Sequence, residues 1–207
     1  MVQKRGPGRP RTFDAQDALD KAVAVFWENG YEAADMATLC KRMGLSKPSL
    51  YNAFGSKDAL FVRALERYRA TITRQNLDAL HDAGTPALAL RAYFESVARN
   101  VSGQNGPCGC LIACVAVPAA SRMPAVAEFL DTGAPAGLMR AVSYFQQQVQ
   151  SAALPAEYDI PAAIALMADL SMALGLKGRL GVPFETLQPR AARFAELTLA
   201  EGMPHLH

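Results

Sequence analysis

Residues 35–57, DMATLCKRMGLSKPSLYNAFGSK, contain the signals for two short helices joined by a glycine turn. Asp35 is suited to cap the first helix, and Gly44 is suited to end it in a left-handed conformation. Ser46 is suited to cap the second helix. Pro48 fits the first turn of that helix, because an N–H group there has no helical partner. The spacing therefore predicts a helix, a turn of about four residues and a second helix.

This pairing of short helices predicts the helix-turn-helix arrangement, whose second helix enters the major groove of DNA. The candidate recognition helix begins at Ser46 and turns Leu50 and Phe54 towards the interior. Its outward positions carry side chains that can bond to phosphates or base edges. These positions are Lys47, Ser49, Tyr51 and Asn52. The segment indicates a DNA-binding surface, although many helical hairpins bind no DNA.

The rest of the chain also has helical periodicity, with caps and stops at its ends. Asp14 is suited to cap a first helix that Gly30 ends. Cys110 to Val117 is apolar enough for a strand, but no second strand is visible to pair with it. We therefore expect a short buried helix there, ended by Pro118. The predicted fold class is all-α, with about nine helices that form a three-helix head on a helical core.

The composition predicts a folded, cytoplasmic protein. Of the 207 residues, 51% are hydrophobic and 19% are charged, which excludes a disordered chain. No run of about 18 uncharged apolar residues occurs, so no membrane span is expected. The N-terminus lacks the apolar core of a secretory signal. Four cysteines are too few for a disulfide scaffold.

A spaced pattern of residues runs without gaps from Phe13 to Tyr68. It consists of Ala22, Phe26-Trp27, Gly30-Tyr31, Leu39, Met43-Gly44-Leu45, Ser49-Leu50-Tyr51, Phe54-Gly55-Ser56-Lys57 and Leu60-Phe61. This pattern resembles the DNA-binding domain of TetR-family transcription regulators. The leading Gly8-Arg9-Pro10-Arg11 is common ahead of this domain in one branch of that family.

The resemblance implies which side chains of the head meet DNA. Tyr51 and Lys57 would contact phosphates. Lys57 falls in the first turn of the fourth helix, where backbone N–H groups add to anion binding. The residues implied to face DNA are Lys47, Pro48, Ser49, Tyr51 and Asn52. The family often has Ser or Thr at the start of helix two, where this chain has Asp35, whose charge would repel phosphate. Thr38 is the nearer hydroxyl.

The N-terminal arm, residues 1–11, carries four lysines and arginines and no acid, while the whole chain has a net charge of +2. A basic arm before a folded head indicates a polyanion partner. Its Gly-Arg-Pro core resembles an AT-hook, in which Arg9 and Arg11 would enter the minor groove of A·T-rich DNA. The alternatives are non-specific attraction to phosphates and a solvated tail that aids solubility.

The resemblance also implies a division of the chain into parts. Residues 1–11 would be a flexible arm, 12–56 the DNA-binding domain, and 57–207 the effector-binding and dimerisation domain. The helix from Asp159 to Gly178 is apolar over most of its circumference, which indicates burial on several sides. We expect the last two helices to form a homodimer. A central helix in a monomeric bundle is the alternative.

The expected function is a repressor that binds a palindromic operator on double-stranded DNA as a dimer. A small organic effector, apolar or amphipathic, would release the repressor from DNA. We expect the effector to bind among helices four to seven. The side chains predicted beside it are Phe94, Val97, Leu111 and Tyr144.

A cluster of three cysteines offers a second candidate sensor. Cys108, Cys110 and Cys114 are soft ligands, but their spacing is not that of a zinc site. We expect them to be packing residues near the pocket, and a thiol or soft-metal sensor is the alternative. No metal site and no cofactor are predicted. No catalytic motif is visible, so we expect no enzyme, and a cysteine-based oxidoreductase is a remote alternative.

Overall fold

The computed structural model describes residues 14–81 and 84–204, without the side chains of 133–137. This part of the chain contains ten α-helices and no strand, so the predicted all-α fold class is confirmed. The helices are α1 (Ala15–Ala33), α2 (Met36–Met43), α3 (Lys47–Phe54), α4 (Lys57–Tyr68), α5 (Arg74–Asp78), α6 (Pro86–Val101), α7 (Val117–Ala120), α8 (Pro124–Gln150), α9 (Ile160–Arg179) and α10 (Phe184–Glu201). Two π-helical segments, Arg69–Thr73 and Ile112–Ala116, precede α5 and α7.

The helices of the head begin at the caps that the sequence predicts. The Asp35 carboxylate accepts a hydrogen bond of 2.8 Å from the Thr38 backbone N–H at the start of α2. The Ser46 hydroxyl accepts one of 3.2 Å from the Ser49 N–H at the start of α3. Between these helices Gly44 has φ 70° and ψ 26°, the left-handed conformation that favours glycine. Local hydrogen bonding thus fixes the entry to both helices and the turn between them.

Gly30 breaks α1 at the position that the sequence predicts. Its φ of 78° and ψ of 173° are not helical, yet one further turn continues to Ala33. Tyr31, in that turn, stacks on Phe26 with ring centroids 6.3 Å apart and lies 5.1 Å from the Phe61 ring. The predicted break at Gly30 is therefore confirmed, and the short turn that follows it, which was not predicted, packs its aromatic ring against α4.

The helix count differs from the sequence prediction because of the π-helical segments. The sequence predicts one helix after Lys57, whereas the structure contains α4, the segment Arg69–Thr73 and α5 in direct succession. The expectation that Pro118 ends a helix is also wrong, since Pro118 lies in the first turn of α7. The wider turn before α7 changes the i→i−4 pattern, so the missing N–H of the proline is tolerated there.

The apolar interior forms two clusters that meet at Cys110. One cluster joins α1–α4 to Leu111, the second π-helical segment, α7 and the start of α8. The other joins α5, α6, α9, α10 and the second half of α8. Cys110 packs against both. The head therefore shares a core with part of the helical body, so a movement of one displaces packed side chains of the other.

Candidate nucleic-acid interface and internal cavity

The α3 helix presents a polar face to solvent and is anchored by its apolar face. Leu50 and Phe54 are buried in the core that α3 shares with α1, α2 and α4. The side chains predicted to face DNA are exposed, and these are Lys47, Pro48, Ser49, Tyr51 and Asn52. The Ser49 hydroxyl lies 2.8 Å from the Ser46 hydroxyl. An exposed helix face with hydroxyl, amide and ammonium groups suits contact with phosphates and base edges.

Lys57, the predicted phosphate ligand, has partners within the head. Its ammonium lies 4.4 Å from the centroid of the Tyr31 ring and donates a hydrogen bond of 3.3 Å to the Glu32 carbonyl. The Tyr31 hydroxyl donates to the Asp58 carboxylate. Burial, and then the bonded carboxylate, raise the pKa of Tyr31 well above its usual range. A phosphate would have to displace or share these contacts of Lys57.

The start of α2 differs from a phosphate-binding end. The Asp35 carboxylate caps the helix, and the Thr38 hydroxyl donates to it over 3.0 Å. Hydrogen bonds from the backbone and side chain of Thr38 lower the pKa of Asp35, so its negative charge is stabilised. The Thr38 hydroxyl is thus engaged by a carboxylate. The arm residues predicted to contact DNA, Arg9 and Arg11, lie outside the described residues.

A cavity of about 190 Å³, partly open to solvent, is bordered by α6, α8, α9 and the segment between α4 and α5. Its wall is mostly apolar. Both π-helical segments border it, the first through Arg69 and Thr73 and the second through Ile112 and Ala113. Such segments occur often at functional sites.

Most polar side chains in the cavity wall bond to one another. The Tyr93 hydroxyl lies 2.9 Å from the Ser171 hydroxyl, which donates to the Met167 carbonyl over 2.7 Å. Burial raises the pKa of Tyr93 to about 12. The Asn76 Oδ1 atom accepts a hydrogen bond of 2.6 Å from Asn100. These polar groups thus find hydrogen-bond partners within the protein and do not require a ligand to supply one.

Of the four side chains predicted to line an effector pocket, Val97 alone borders this cavity in the part of the chain that the structure describes. Phe94 is buried against α10, with its ring centroid 5.9 Å from that of Phe194. Leu111 is buried in the cluster that includes the head, and Tyr144 packs against Phe145. Phe94 and Val97 have different surroundings because α6 is apolar on two faces, one towards α10 and one towards the cavity.

The three clustered cysteines have different surroundings. Cys108 is exposed, whereas Cys110 and Cys114 are partly buried, and all are free thiols. Cys110 borders the cavity and accepts a hydrogen bond of 3.6 Å from the Tyr68 hydroxyl, and burial raises its pKa. The Cys114 thiol donates to the Gly175 carbonyl over 3.5 Å. Among the described residues, no group of three or more His, Cys, Asp and Glu side chains is placed to hold a metal ion.

A set of contacts joins the cavity wall to the head. Tyr68, which borders the cavity, packs edge-on against Trp27 with ring centroids 5.0 Å apart. The Trp27 indole donates a hydrogen bond of 3.0 Å to the Gly109 carbonyl. The Arg179 guanidinium, at the end of α9, donates one of 2.9 Å to the Trp27 carbonyl. A change at the cavity therefore has a short physical route to α1.

Comparison with known proteins identifies the head. A family model described as bacterial regulatory proteins, tetR family, matches residues 18–64, which include α2, α3 and most of α4. The head of the chain, residues 18–64, is of the TetR family. The resemblance stated from the sequence is confirmed, and so is the expectation of a regulatory protein rather than an enzyme, because the matching family consists of regulators.

Two repressors of Escherichia coli K12 are similar to this chain. The transcriptional repressor ComR is 36% identical over 110 residues, which cover 53% of this chain and 52% of ComR. The transcriptional repressor BdcR is also 36% identical over 110 residues, which cover 53% of this chain and 56% of BdcR. The chain spans about half the length of these curated relatives.

A solved structure matches nearly the whole length of this chain. It is a cysteine mutant of the TetR-family transcriptional regulator CifR in complex with 26-bp double-strand operator DNA. The TM-score is 0.79 at 29% sequence identity, and the match covers 91% of this chain and 98% of CifR. The similarity therefore extends beyond the head to the helical body.

Arg69 and Tyr93 border the cavity but are not among the pocket residues predicted from the sequence. Tyr93 directly precedes Phe94 on α6, and the periodicity of the helix does not distinguish their two apolar surroundings. Arg69 follows Leu65 by four residues, so it continues an apolar stripe on α4. The signal that could have identified Arg69 is a single arginine at a position where the periodicity of α4 predicts an apolar residue.

Proposed function

We propose that this TetR-family chain is a cytoplasmic transcription repressor that binds a near-palindromic DNA operator as a homodimer. A small organic molecule in the internal cavity releases it from DNA. Residues 1–11 act as a basic arm, 12–56 as the DNA-binding domain, and 57–207 as the effector-binding and dimerisation domain. The similarity to the repressors ComR and BdcR supports repression as the outcome.

The exposed face of α3 is the observation that carries the DNA-binding proposal. Polar groups project from this face, while Leu50 and Phe54 fix the helix to the head. The α2 helix contacts α3 through the Gly44 turn and braces it. CifR, similar in fold and 29% identical, is bound to operator DNA. We infer that four side chains of α3 enter the major groove, and these are Lys47, Ser49, Tyr51 and Asn52.

The α4 helix is the element through which an effector would act on the head. It begins at Lys57, which is the proposed phosphate contact, and it ends at Tyr68 in the cavity wall. These ends are about 17 Å apart, given a rise of 1.5 Å per residue. Successive major grooves on one face of B-DNA lie about 34–36 Å apart, so a tilt of α4 in each subunit would prevent simultaneous docking.

An exposed apolar stripe on α9 supports dimerisation through the last two helices. Met172 and Leu176 of α9 and Leu180, directly after it, are spaced by four residues and are exposed, Leu180 to 75% of its surface. Leu197 of α10 is exposed as well. By length and composition alone α9 could cross a membrane, and in the structure it packs on one side against α6, α8 and α10. A second copy of the chain would cover the stripe in a four-helix bundle.

The surroundings of the cysteines favour an organic effector over a thiol sensor. A sensing cysteine needs an accessible sulfur with a lowered pKa. Burial instead raises the pKa of Cys110, which borders the cavity. Cys108 is exposed but lies outside the cavity wall. We therefore place Cys110 and Cys114 in the packing around the effector.

Selection from a random-sequence library of DNA duplexes tests the proposal. The wild-type chain should enrich a near-palindrome whose half-sites are centred one helical turn, or a multiple of it, apart. The double variant Ser49→Ala/Asn52→Ala should lose or change the enriched sequence while remaining folded and dimeric. A reporter gene behind the selected duplex should then be silenced by the chain. Enrichment of the same sequence by the double variant would overturn the assignment of α3.

A further inference from the structure

The internal cavity is bordered by one charged side chain among the described residues, and this is Arg69. The Arg69 guanidinium lies over the Phe129 ring, with Cζ 4.5 Å from the ring centroid. Its Nη1 atom is buried and has no hydrogen-bond partner in the described part of the chain. Stacking on Phe129 occupies a face of the guanidinium and leaves this edge unpaired. A buried N–H group without an acceptor is destabilising, and more so when it carries charge.

No acidic side chain borders the cavity beside Arg69 in residues 14–81 and 84–204. Glu66, three residues earlier, borders a neighbouring cavity together with Arg69 but forms no ion pair with it in the described part of the chain. Asp78 pairs with Arg74 and Arg140. Other polar groups of the wall, such as Tyr93 and Ser171, bond to each other. The described wall is therefore mostly apolar, and the one charge at its edge is that of Arg69. Such a site disfavours cations and lacks one anionic acceptor.

From these contacts we infer that the cavity takes a small apolar carboxylate whose anionic end pairs with Arg69. A carboxylate matches the planar fork of a guanidinium, with two parallel N–H···O bonds. An engineered apolar cavity of about 150 Å³ holds benzene, so about 190 Å³ suits a single ring with a short acidic substituent. A phosphate would present further oxygens that the wall cannot serve. The inference rests on the proposed function and names the class of effector.

The place of Arg69 in the fold connects this ligand to the head. Arg69 begins the first π-helical segment, directly after Tyr68 at the end of α4. Tyr68 packs on Trp27 of α1. A carboxylate that draws the Arg69 guanidinium towards the cavity would pull on the turn that ends α4. The anion thus acts on the helix that carries Lys57.

Calorimetric titration of the full chain with defined probes tests the inference. The probes are benzoate and phenylacetate, their neutral amides benzamide and phenylacetamide, and phenyl phosphate. The wild-type chain should bind a carboxylate about tenfold more tightly than its amide and than phenyl phosphate. Arg69→Gln should weaken carboxylate binding about tenfold to a hundredfold and change amide binding less than about threefold.

Further variants act as controls. Arg74→Gln removes the same charge five residues later, where the side chain is exposed and paired with Asp78, and should leave carboxylate binding unchanged. Ala168→Leu fills the cavity from α9 and should weaken acid and amide alike. Retained amide binding by Arg69→Gln shows that the variant folds. Arg69→Lys, which keeps the charge without the planar fork, should bind carboxylates with intermediate affinity.

Several outcomes would overturn the inference. They are equal binding of acid and amide, tighter binding of phenyl phosphate, an unchanged affinity in Arg69→Gln, and no binding of either carboxylate. The proposed function is tested separately by gel shift with the duplex that the wild-type chain selects. Arg69→Gln should bind that duplex as the wild type does, and about 1 mM benzoate or phenylacetate should release only the wild type. Absence of DNA binding in every chain would contradict the proposed function and leave the calorimetric result intact.

Discussion

The indole of Trp27 donates a hydrogen bond of 3.0 Å to the carbonyl of Gly109, 82 residues later in the chain. Trp27 belongs to α1 of the head, whereas Gly109 directly precedes Cys110 in the cavity wall. Trp27 and Gly109 are both buried. The Arg179 guanidinium donates a further hydrogen bond to the Trp27 carbonyl. The head is thereby fixed to the body by directed bonds as well as by apolar packing. Loss of this alignment would leave buried polar groups unpaired.

Gly109 allows this alignment because it lacks a side chain. Its φ is 87°, and a Cβ there would lie 2.9 Å from the Cβ of Arg179. Gly109→Ala should lower the free energy of unfolding by about 3 kcal/mol, from backbone strain together with displacement from α9. Gly181→Ala is the matched control, since Gly181 has φ 77° and nothing within 4 Å of a Cβ, and should lower it by about 1 kcal/mol. Urea unfolding followed by circular dichroism measures both, and equal losses would show that contact with Arg179 is unimportant.

Lys57→Ala should weaken binding to all DNA sequences. The slope of log affinity against log salt concentration should fall by about one, as expected for loss of one phosphate contact. Arg91→Ala removes an equal charge from α6, where the side chain is exposed and paired with Glu95, and should leave the slope unchanged. Fluorescence anisotropy at several salt concentrations measures the slope. An unchanged slope for Lys57→Ala would mean that Lys57 keeps its contacts with Tyr31 and Glu32 in the complex.

The head was predictable from the sequence because its signals are local. Asp35, Gly44 and Ser46 act within three or four residues, and the structure contains the caps and the turn that they predict. The extra turn after Gly30 was not predictable, because it depends on contact between Tyr31 and Phe61 from another helix. Local rules fix the caps and glycine breaks of these helices, whereas tertiary contacts decide whether the chain forms a further turn beyond a break.

The cavity was predictable only in its general place. Val97 borders it, but Phe94 on the same helix faces α10, and both are apolar residues on a helix buried on two sides. The π-helical segment at Arg69 rotates the following residues relative to a regular helix, and no propensity rule marks such a segment. The orientation of these side chains therefore follows from how α4 and α5 pack between α6 and α8, which the sequence pattern does not contain.

Charge in the exposed stripe of α9 should prevent dimerisation. Leu176→Arg places a cation among Met172 and Leu180, where a second copy would bury it without a partner. Sedimentation equilibrium should then show monomers with unchanged helix content, and operator affinity should fall because only one recognition helix docks per particle. Leu88→Arg is the control, since Leu88 of α6 is similarly exposed and lies outside the stripe. Dimers of Leu176→Arg with normal affinity for DNA would place the interface elsewhere.

The basic arm should contribute to both affinity and sequence preference. A chain without residues 1–11 should bind DNA more weakly, and its salt slope should fall by about three to four, given four cationic side chains. If the arm enters the minor groove, the loss should be larger for operators flanked by A·T pairs than by G·C pairs. Arg9→Lys/Arg11→Lys keeps the charge and should reduce only the A·T preference. If the loss of affinity is equal for operators with A·T and with G·C flanks, the arm contributes only non-specific electrostatic attraction.

Thiol labelling separates an organic effector from a cysteine sensor. Cys108 is exposed and should react with a maleimide within minutes, whereas the Cys110 and Cys114 thiols are shielded and should react at least about tenfold more slowly. Because burial raises the pKa of Cys110, its labelling should stay slow at neutral pH and accelerate only at alkaline pH, where the reactive thiolate forms. Replacing Cys108, Cys110 and Cys114 with Ser, Ala and Ala should then leave operator binding and its release by a carboxylate nearly unchanged. Fast labelling of Cys110 at neutral pH, together with release of DNA by peroxide that the triple variant ignores, would instead establish the thiol as the sensor. We expect the first result, since the Tyr68 hydroxyl bonds to the Cys110 sulfur and the unpaired charge in the described cavity wall belongs to Arg69.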